Sequence, residues 1–380
     1  MDKPKLSAGR NLLSLSVLLC FLMLFFSGCT KSKKPSPAFP APPRTTDGWQ
    51  VSTPASQQID ASPLAQADAA LKNDPSFVNI HTLTIARNGK LVFDAFYHAG
   101  PWGYRKGDLT TMQSVTKSFT SLMVGIAIDR GLITHVNQTA RSLLPGLPNA
   151  IWSSGKDSIT IKHILTMSAG FAGNEQGDSL LPARYAGYMF AKPLAHTPGT
   201  FFDYRTALTN TLGDILMTAL SPWHISLEKF MDSLLFRPLD IKNDQWVYRN
   251  PSGEPELGGG LFLAPRDMIK LGQVVLDQGQ WRNRQIVPAK WITAATGEYF
   301  HFHPRYWGEM DGYGYLFWHR TLVSNGKTFH AIVALGYSGQ YVVIIPSLHA
   351  VIAITSWFPE DKNWQIPLAF IQDYLLPAFR

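Results

Sequence analysis

The stretch QSVTKSFTSLMVGIAIDRG, residues 113–131, constrains the fold more than any other part of the chain. From Phe119 to Ile128 it is almost wholly apolar, which predicts a helix over 114–129 buried in a core. A serine opens it and a lysine follows three residues later, a spacing that puts both side chains on one helix face. Ser114 is therefore either the cap of a core helix or a nucleophile beside an amine. Spacing alone leaves both open.

The same Ser-x-x-Lys pattern recurs as Ser153/Lys156, Ser226/Lys229 and Ser324/Lys327. A serine hydroxyl attacks a carbonyl only if something takes its proton, and a lysine can do so only as a neutral amine, which burial and positive neighbours favour. Ser153-Ser-Gly-Lys156 reads as a polar turn with a solvated lysine, and Ser324-Asn-Gly-Lys327 as a turn between strands. Ser226-Leu-Glu-Lys229 reads as an ordinary helix N-cap. Only after Lys117 do apolar turns follow, and only there does the lysine sit near the positive end of a buried helix; both effects lower its pKa.

The chain has 380 residues, 45% hydrophobic and 16% charged, which predicts one large domain or two intimately packed ones. Its formal charge is +7, of which Lys3, Lys5 and Arg10 less Asp2 supply +2 before residue 29. Basic residues beyond residue 50 are scattered, so no nucleic-acid partner is expected. The uncharged run LLSLSVLLCFLMLFF, residues 12–26, is short for a membrane span and suits the core of a signal peptide. It ends in Phe26-Ser27-Gly28-Cys29, which resembles the lipobox of bacterial lipoproteins. The expectation is a signal peptide over 1–28, lipidation at Cys29 and a Pro-rich tether over 29–48, with an uncleaved anchor as the alternative. Either places the folded part on a membrane of the bacterial cell envelope, facing the periplasm. Cys20 and Cys29 are the only cysteines, so the folded part is expected to hold no disulfide and no cysteine metal site.

From Asn79, NIHTLTIARNGKLVFDAFY reads as two strands joined at Asn88-Gly89, a strong hairpin signal. HAIVALGYSGQYVVIIPSLHAVIAITSW reads as three more strands, and NWQIPLAFIQDYLLPAF as a closing helix. Further helices are predicted over 160–167, 209–220, 226–234, 265–277 and 288–295. The expected class is α+β: an antiparallel sheet built from both chain ends (49–110 and 305–380), flanked by helices, with a mostly helical part over 111–304. The Gly258-Gly259-Gly260 run lacks the Lys-Ser/Thr of a phosphate loop and reads as a turn. His301-Phe-His303-Pro304 reads as a surface loop rather than a metal site, and neither a metal nor a cofactor is expected. The aromatic segment EYFHFHPRYWGEMDGYGYLFW is expected to pack on the sheet and line a cleft mouth.

Seven stretches, GWQVSTP, TIARNGKLVFDAFY, MQSVTKSFTSLMVGIAIDRG, IKHILTMSAG, PGTFFDYRTALTNTLGDIL, GGGLFLAPRDMIKLGQVVLDQG and ALGYSGQYVVIIPSLHAVIAITS, together resemble the serine β-lactamase and penicillin-binding superfamily. They occur in family order from about residue 48 to the C-terminus, and they are most similar to the class C-like branch that includes family VIII carboxylesterases and nylon-oligomer (6-aminohexanoate-oligomer) hydrolases. The resemblance implies a β-lactamase/transpeptidase-like fold in which Ser114 is the acylated nucleophile and Lys117 takes its proton. Tyr204, in FDYRT, falls on the tyrosine that shuttles protons to the leaving group. Beside two cations it is expected to share its proton more readily than a reference pKa of about 10 suggests. The third motif falls on Tyr337-Ser338-Gly339, and the implied oxyanion hole joins the backbone N–H groups of Ser114 and Gln340, one such donor being worth about 3–4 kcal/mol of barrier. Gly339 is expected to let the backbone come close to substrate.

Thr206, Tyr337, Ser338 and Gly339 are the implied substrate-binding residues. Tyr337 stands where β-lactamases carry lysine and Thr206 where they carry asparagine, and both departures argue against efficient β-lactam hydrolysis. The expected activity is hydrolysis of small esters or amides through an acyl-enzyme. A D,D-peptidase or weak β-lactamase, and a non-catalytic envelope lipoprotein, are the alternatives. The oligomeric state is left open. How far Tyr337, Thr206 and the 172–190 loop close the cleft decides between small esters and longer amides.

Overall fold

Two residues with left-handed backbone, Asn88 (φ 51°) and Gly89 (φ 73°), make the tight turn expected between the first long strands, β2 (Ile80–Arg87) and β3 (Lys90–Phe96). The structure, a computed structural model, describes residue 1 and residues 38–100, 103–152, 155–178, 182, 184–307, 309–358 and 363–380. Residues 2–37, on which the expected signal peptide, the expected lipidation at Cys29 and most of the expected tether fall, lie outside the described residues.

Strand β1 is Gln50–Val51, and β4 (Thr110–Thr111), β5 (Asp244–Trp246) and β6 (Leu261–Leu263) form a small sheet of their own in the order β4-β6-β5. Strands β7 (Gln280–Trp281) and β8 (Arg284–Gln285) pair with each other. The C-terminal strands are β9 (Phe300–Tyr306), β10 (Met310–Tyr313), β11 (Trp318–Ser324), β12 (Lys327–Gly336), β13 (Gln340–Ile345) and β14 (Ala350–Ser356). With β1–β3 they make one sheet in the order β1-β3-β2-β14-β13-β12-β11-β10-β9. The two chain ends meet where β2 pairs with β14, Ile85 opposite Ile352. Every residue of β2, β13 and β14 is buried, which accounts for their near-continuous apolar text. The sheet is antiparallel except where β1 runs parallel to β3.

Helix α1 (Ala61–Asn73) packs against the turns Ile371–Ala378 that continue the C-terminal helix α5 (Ile366–Phe370). Helix α4 (Pro265–Leu276) lies across β2, β13 and β14. Its Gly272 permits this approach, since a Cβ there would stand 2.3 Å from Val351. Helix α2 (Val115–Asp129) is buried from Val115 to Ala127 and packs on β12 and β13, with α3 (Thr206–Leu220) beside it. It is the predicted core helix.

Three expectations change. The folded unit begins at Ala38 rather than at residue 49. Phe39 packs edge-on against Phe93, while Arg266 bonds the Pro43 carbonyl and pairs with Asp47 at 2.6 Å, so the end of the supposed tether is held by a side chain rich in donors. The His301-Phe-His303-Pro304 stretch is an edge strand, β9, where a proline's missing N–H costs no ladder bond. Lys156, expected in water, is buried and donates to the carbonyls of Phe190 (2.8 Å) and Lys192 (3.1 Å); Ser153 lies outside the described residues. Ser226 caps its helix by accepting from the Lys229 N–H at 3.2 Å, and Asn325-Gly326 turns β11 into β12, as read.

Candidate active site

Gln113 has a left-handed backbone (φ 47°) that turns the chain sharply just ahead of α2. Ser114 follows at the N-cap position, but its side chain makes no capping bond. Its Oγ instead meets Lys117 Nζ at 2.8 Å. The cap reading of Ser114 is thereby set aside.

Lys117 is 1% exposed. Its Nζ has two further partners, Thr206 Oγ1 at 2.9 Å and the Gly258 carbonyl at 2.7 Å. The glycine run read as a turn thus supplies an acceptor to the amine. Burial pulls the Lys117 pKa down to about 8, against the opposing charges of Glu175 and Glu256. No positive neighbour contributes to that shift, contrary to expectation; desolvation does it.

Tyr204 is buried, bonds Ser114 through its hydroxyl and stacks on Trp318 at 5.4 Å. Lys117 Nζ lies 5.0 Å from the centre of its ring. Burial raises the Tyr204 pKa, and the Ser114 hydrogen bond, which lowers it, does not offset that effect. The expected ease of deprotonation is therefore reversed, because desolvation, with the charge of Glu175 acting in the same sense, outweighs the Ser114 hydrogen bond. Tyr204 is a phenol, and hence a donor, at neutral pH.

Thr206 opens α3. Its Oγ1 donates to Glu175 Oε1 at 2.5 Å and its N–H to Glu175 Oε2 at 2.6 Å. The hydroxyl proton expected to meet substrate is spent on Glu175. That carboxylate has no sequence signal: it sits in a short turn, Glu175–Gly177, capped by Asn174. Arg205 holds the turn's surroundings in place. Its Nε and an Nη bond the two oxygens of Asp178 at 2.7 and 2.5 Å, and its other Nη reaches the carbonyls of Phe171 and Ala172, both at 3.1 Å.

At the β12–β13 hairpin the structure redistributes the third-motif residues. Ser338 (φ 61°) and Gly339 (φ 88°) form the tip, and Gly336 pairs with Gln340. Gln340 is fully buried with its carboxamide bonded to Ser356, Ser338 is fully buried, and a Cβ on Gly339 would strike Ser356 Oγ and Pro367. Thus Gln340, Ser338 and Gly339 stay out of the cleft, and Gly339 serves a close internal approach rather than substrate. Leu335, Gly336 and the half-exposed Tyr337 instead share the cleft wall with Ser114. The Gly336 carbonyl accepts from Gly339 N–H at 3.2 Å. In a planar trans peptide the N–H of Tyr337 must then point the opposite way, toward the β12 edge that β11 no longer covers beyond Val333.

The cleft has a volume of about 740 Å³. Asn174, Glu175, Gln176 and Asp203 line one side, and Tyr306, Trp307 and Trp364 form the expected aromatic mouth. A cavity of about 890 Å³ lined by Trp49, Gln273, Trp281 and Asn283 among others lies elsewhere and shares none of these residues. Among the described residues no group of three or more His, Cys, Asp or Glu is placed to hold a metal ion.

A serine hydroxyl, a buried lysine amine and a buried phenol converging on one cleft, on a helix-flanked sheet closed by both chain ends, define a hydrolase of the serine type. Residues 81–371 match the family model described as Beta-lactamase, and the chain belongs to that family. It is 23% identical over 298 residues to a 6-aminohexanoate-dimer hydrolase of Paenarthrobacter ureafaciens, covering 73% of each chain. Its fold is similar to that of a family VIII carboxylesterase (TM-score 0.62, 15% identity, 81% of this chain and 96% of the other). It is also similar to an octameric penicillin-binding protein homologue from Pyrococcus abyssi (TM-score 0.64, 17% identity, 83% and 79%). The fold class read from the sequence is the one found.

Proposed function

We propose that this hydrolase cleaves small esters or amides through an acyl-enzyme on Ser114. The observation that carries the reading is the 2.8 Å contact between Ser114 Oγ and a fully buried lysine amine whose hydrogen-bond partners are all uncharged. Neutral Lys117 takes the hydroxyl proton as Oγ attacks the carbonyl. The oxyanion is met by the backbone N–H groups of Ser114 and Tyr337. Tyr204, bonded to Ser114, passes the proton on to the departing alcohol or amine. Water then releases the acid and restores the serine.

The cleft wall carries Glu175 and Asp203, and no lysine or arginine among its described lining residues. That speaks for substrates without a carboxylate beside the scissile bond and against penicillins. The names of the related proteins, an amide hydrolase and a carboxylesterase, cover both bond types. The test compares wild type with Ser114→Ala on short-chain p-nitrophenyl esters and on 6-aminohexanoate dimer. Wild-type turnover lost in the variant is expected; equal rates, or an inactive wild type, sink the reading. A stable penicilloyl adduct on Ser114 would instead move the substrate toward β-lactams.

A further inference from the structure

The hydrogen-bond pattern around Lys117 contains a direction that the base needs and that Lys117 alone does not supply. A neutral amine has two N–H groups and one lone pair. Of its three partners, the Gly258 carbonyl at 2.7 Å can only accept. Thr206 Oγ1 at 2.9 Å could accept or donate, and if it donated it would occupy the lone pair in place of Ser114. Glu175 removes that freedom. Its two oxygens receive the Thr206 hydroxyl at 2.5 Å and the Thr206 N–H at 2.6 Å, a pair of donors that a carboxylate satisfies and a carboxamide does not. The Thr206 proton is thereby turned away from Lys117, both amine hydrogens are spent on Thr206 and Gly258, and the lone pair is left facing Ser114 Oγ at 2.8 Å.

We infer that Glu175 is a positioning residue which, through Thr206, aims the lone pair of Lys117 at the Ser114 hydroxyl. This rests on the reading of Ser114 and Lys117 as nucleophile and base. An asparagine at residue 206 would have no hydroxyl to relay the constraint, so the device belongs to the combination of Glu175 with threonine.

Glu175 also acts on Lys117 by charge, in the opposite sense. Its negative charge favours the ammonium form, as does that of Glu256, whose carboxylate is already bonded by the Tyr185 hydroxyl at 2.7 Å. The Tyr204 ring is the remaining titratable group against the amine. Around Glu175 itself stand Asp203, Tyr204 and Tyr306, while Arg205 is spent on Asp178 and Asp203. Removing the Glu175 charge therefore lowers the pKa of Lys117 while disordering its lone pair.

The experiment measures the pH profile of ester kcat/KM, and the rate at which a fluorophosphonate labels Ser114, in wild type, Glu175→Gln, Thr206→Val and Thr206→Ser. Thr206→Ser keeps the relay and is expected within about threefold of wild type, whereas Thr206→Val and Glu175→Gln fall about 100-fold, the lower end of the range for general base catalysis. Glu175→Gln is further expected to move the acidic limb to lower pH, a shift that a merely structural lesion would not produce. The inference is overturned if Glu175→Gln labels as fast as wild type, if it loses activity with the limb unmoved, or if Thr206→Val matches Thr206→Ser. A wild type that neither hydrolyses nor labels condemns the nucleophile reading instead.

Discussion

Lys117 and Lys270 are both withdrawn from water, at 1% and 0% exposure, and burial depresses the pKa of each, yet they are built for opposite ends. Lys270 pairs with Asp267, one turn back on α4, at 2.7 Å and donates to the Asp240 carbonyl at 2.9 Å. The Asp267 carboxylate in direct contact favours the charged form of Lys270 against the effect of burial, so this lysine is built as half of an ion pair. Lys117 has two hydroxyls and a carbonyl in direct reach, with its carboxylates one group further out. Burial alone does not make a base. What distinguishes the two is an uncharged set of partners, one of which can donate.

The comparison is broken most severely at Lys117. Lys117→Met is expected to cut kcat/KM about 10³–10⁴-fold, the upper range for loss of a general base. The same change removes the penalty of burying an ammonium, so at pH 7 the variant should melt higher than wild type, by on the order of 1 kcal/mol or more. A variant that melts lower, or keeps its rate, contradicts the assignment.

Lys270→Met should do the reverse. It strands a mostly buried Asp267 and is expected to cost about 3 kcal/mol of stability, while the folded fraction keeps the wild-type rate. Adding Asp267→Leu should recover most of the loss; chemical denaturation of wild type and the two variants decides it.

The smallest effect is the pH profile itself. With a pKa near 8, Lys117 becomes a base only as the pH rises through that value, so the acidic limb of kcat/KM should lie near pH 8. Because the folded value lies below the ordinary 10.5, the stability contribution of this group is fully present above 10.5 and is lost as pH falls to about 8. Wild type should therefore gain stability relative to Lys117→Met between those two values. A limb at pH 6 or below would require further groups acting on the amine.

The elements legible in the text are those whose own residues state their period or turn chemistry. Residues 119–128 are almost wholly apolar, Asn88-Gly89 demands a left-handed turn, and Tyr204 lies in a compact motif. Glu175 was not legible, because its function lies in a contact with Thr206 across the fold, and nothing within its own turn announces it. Which N–H of GYSGQ faces the cleft was not legible for a related reason. The direction of the Tyr337 N–H is set by which carbonyl the hairpin tip satisfies, and that pairing is a property of the folded strands. Lys156 looked solvated because the carbonyls that bury it come from Phe190 and Lys192, more than thirty residues away.

The cleft draws its walls from the start of α2, the turn at Glu175, the start of α3 and the end of β12. Of these only β12 belongs to the closing sheet, and it is reached near the end of synthesis. A chain released before Tyr337 has Ser114 and Lys117 but an incomplete cleft wall, so the whole cleft appears only once the last strands have docked. Hydrolytic turnover is then a readout of completed assembly, and a nascent chain is expected to be chemically silent until it has become a whole molecule.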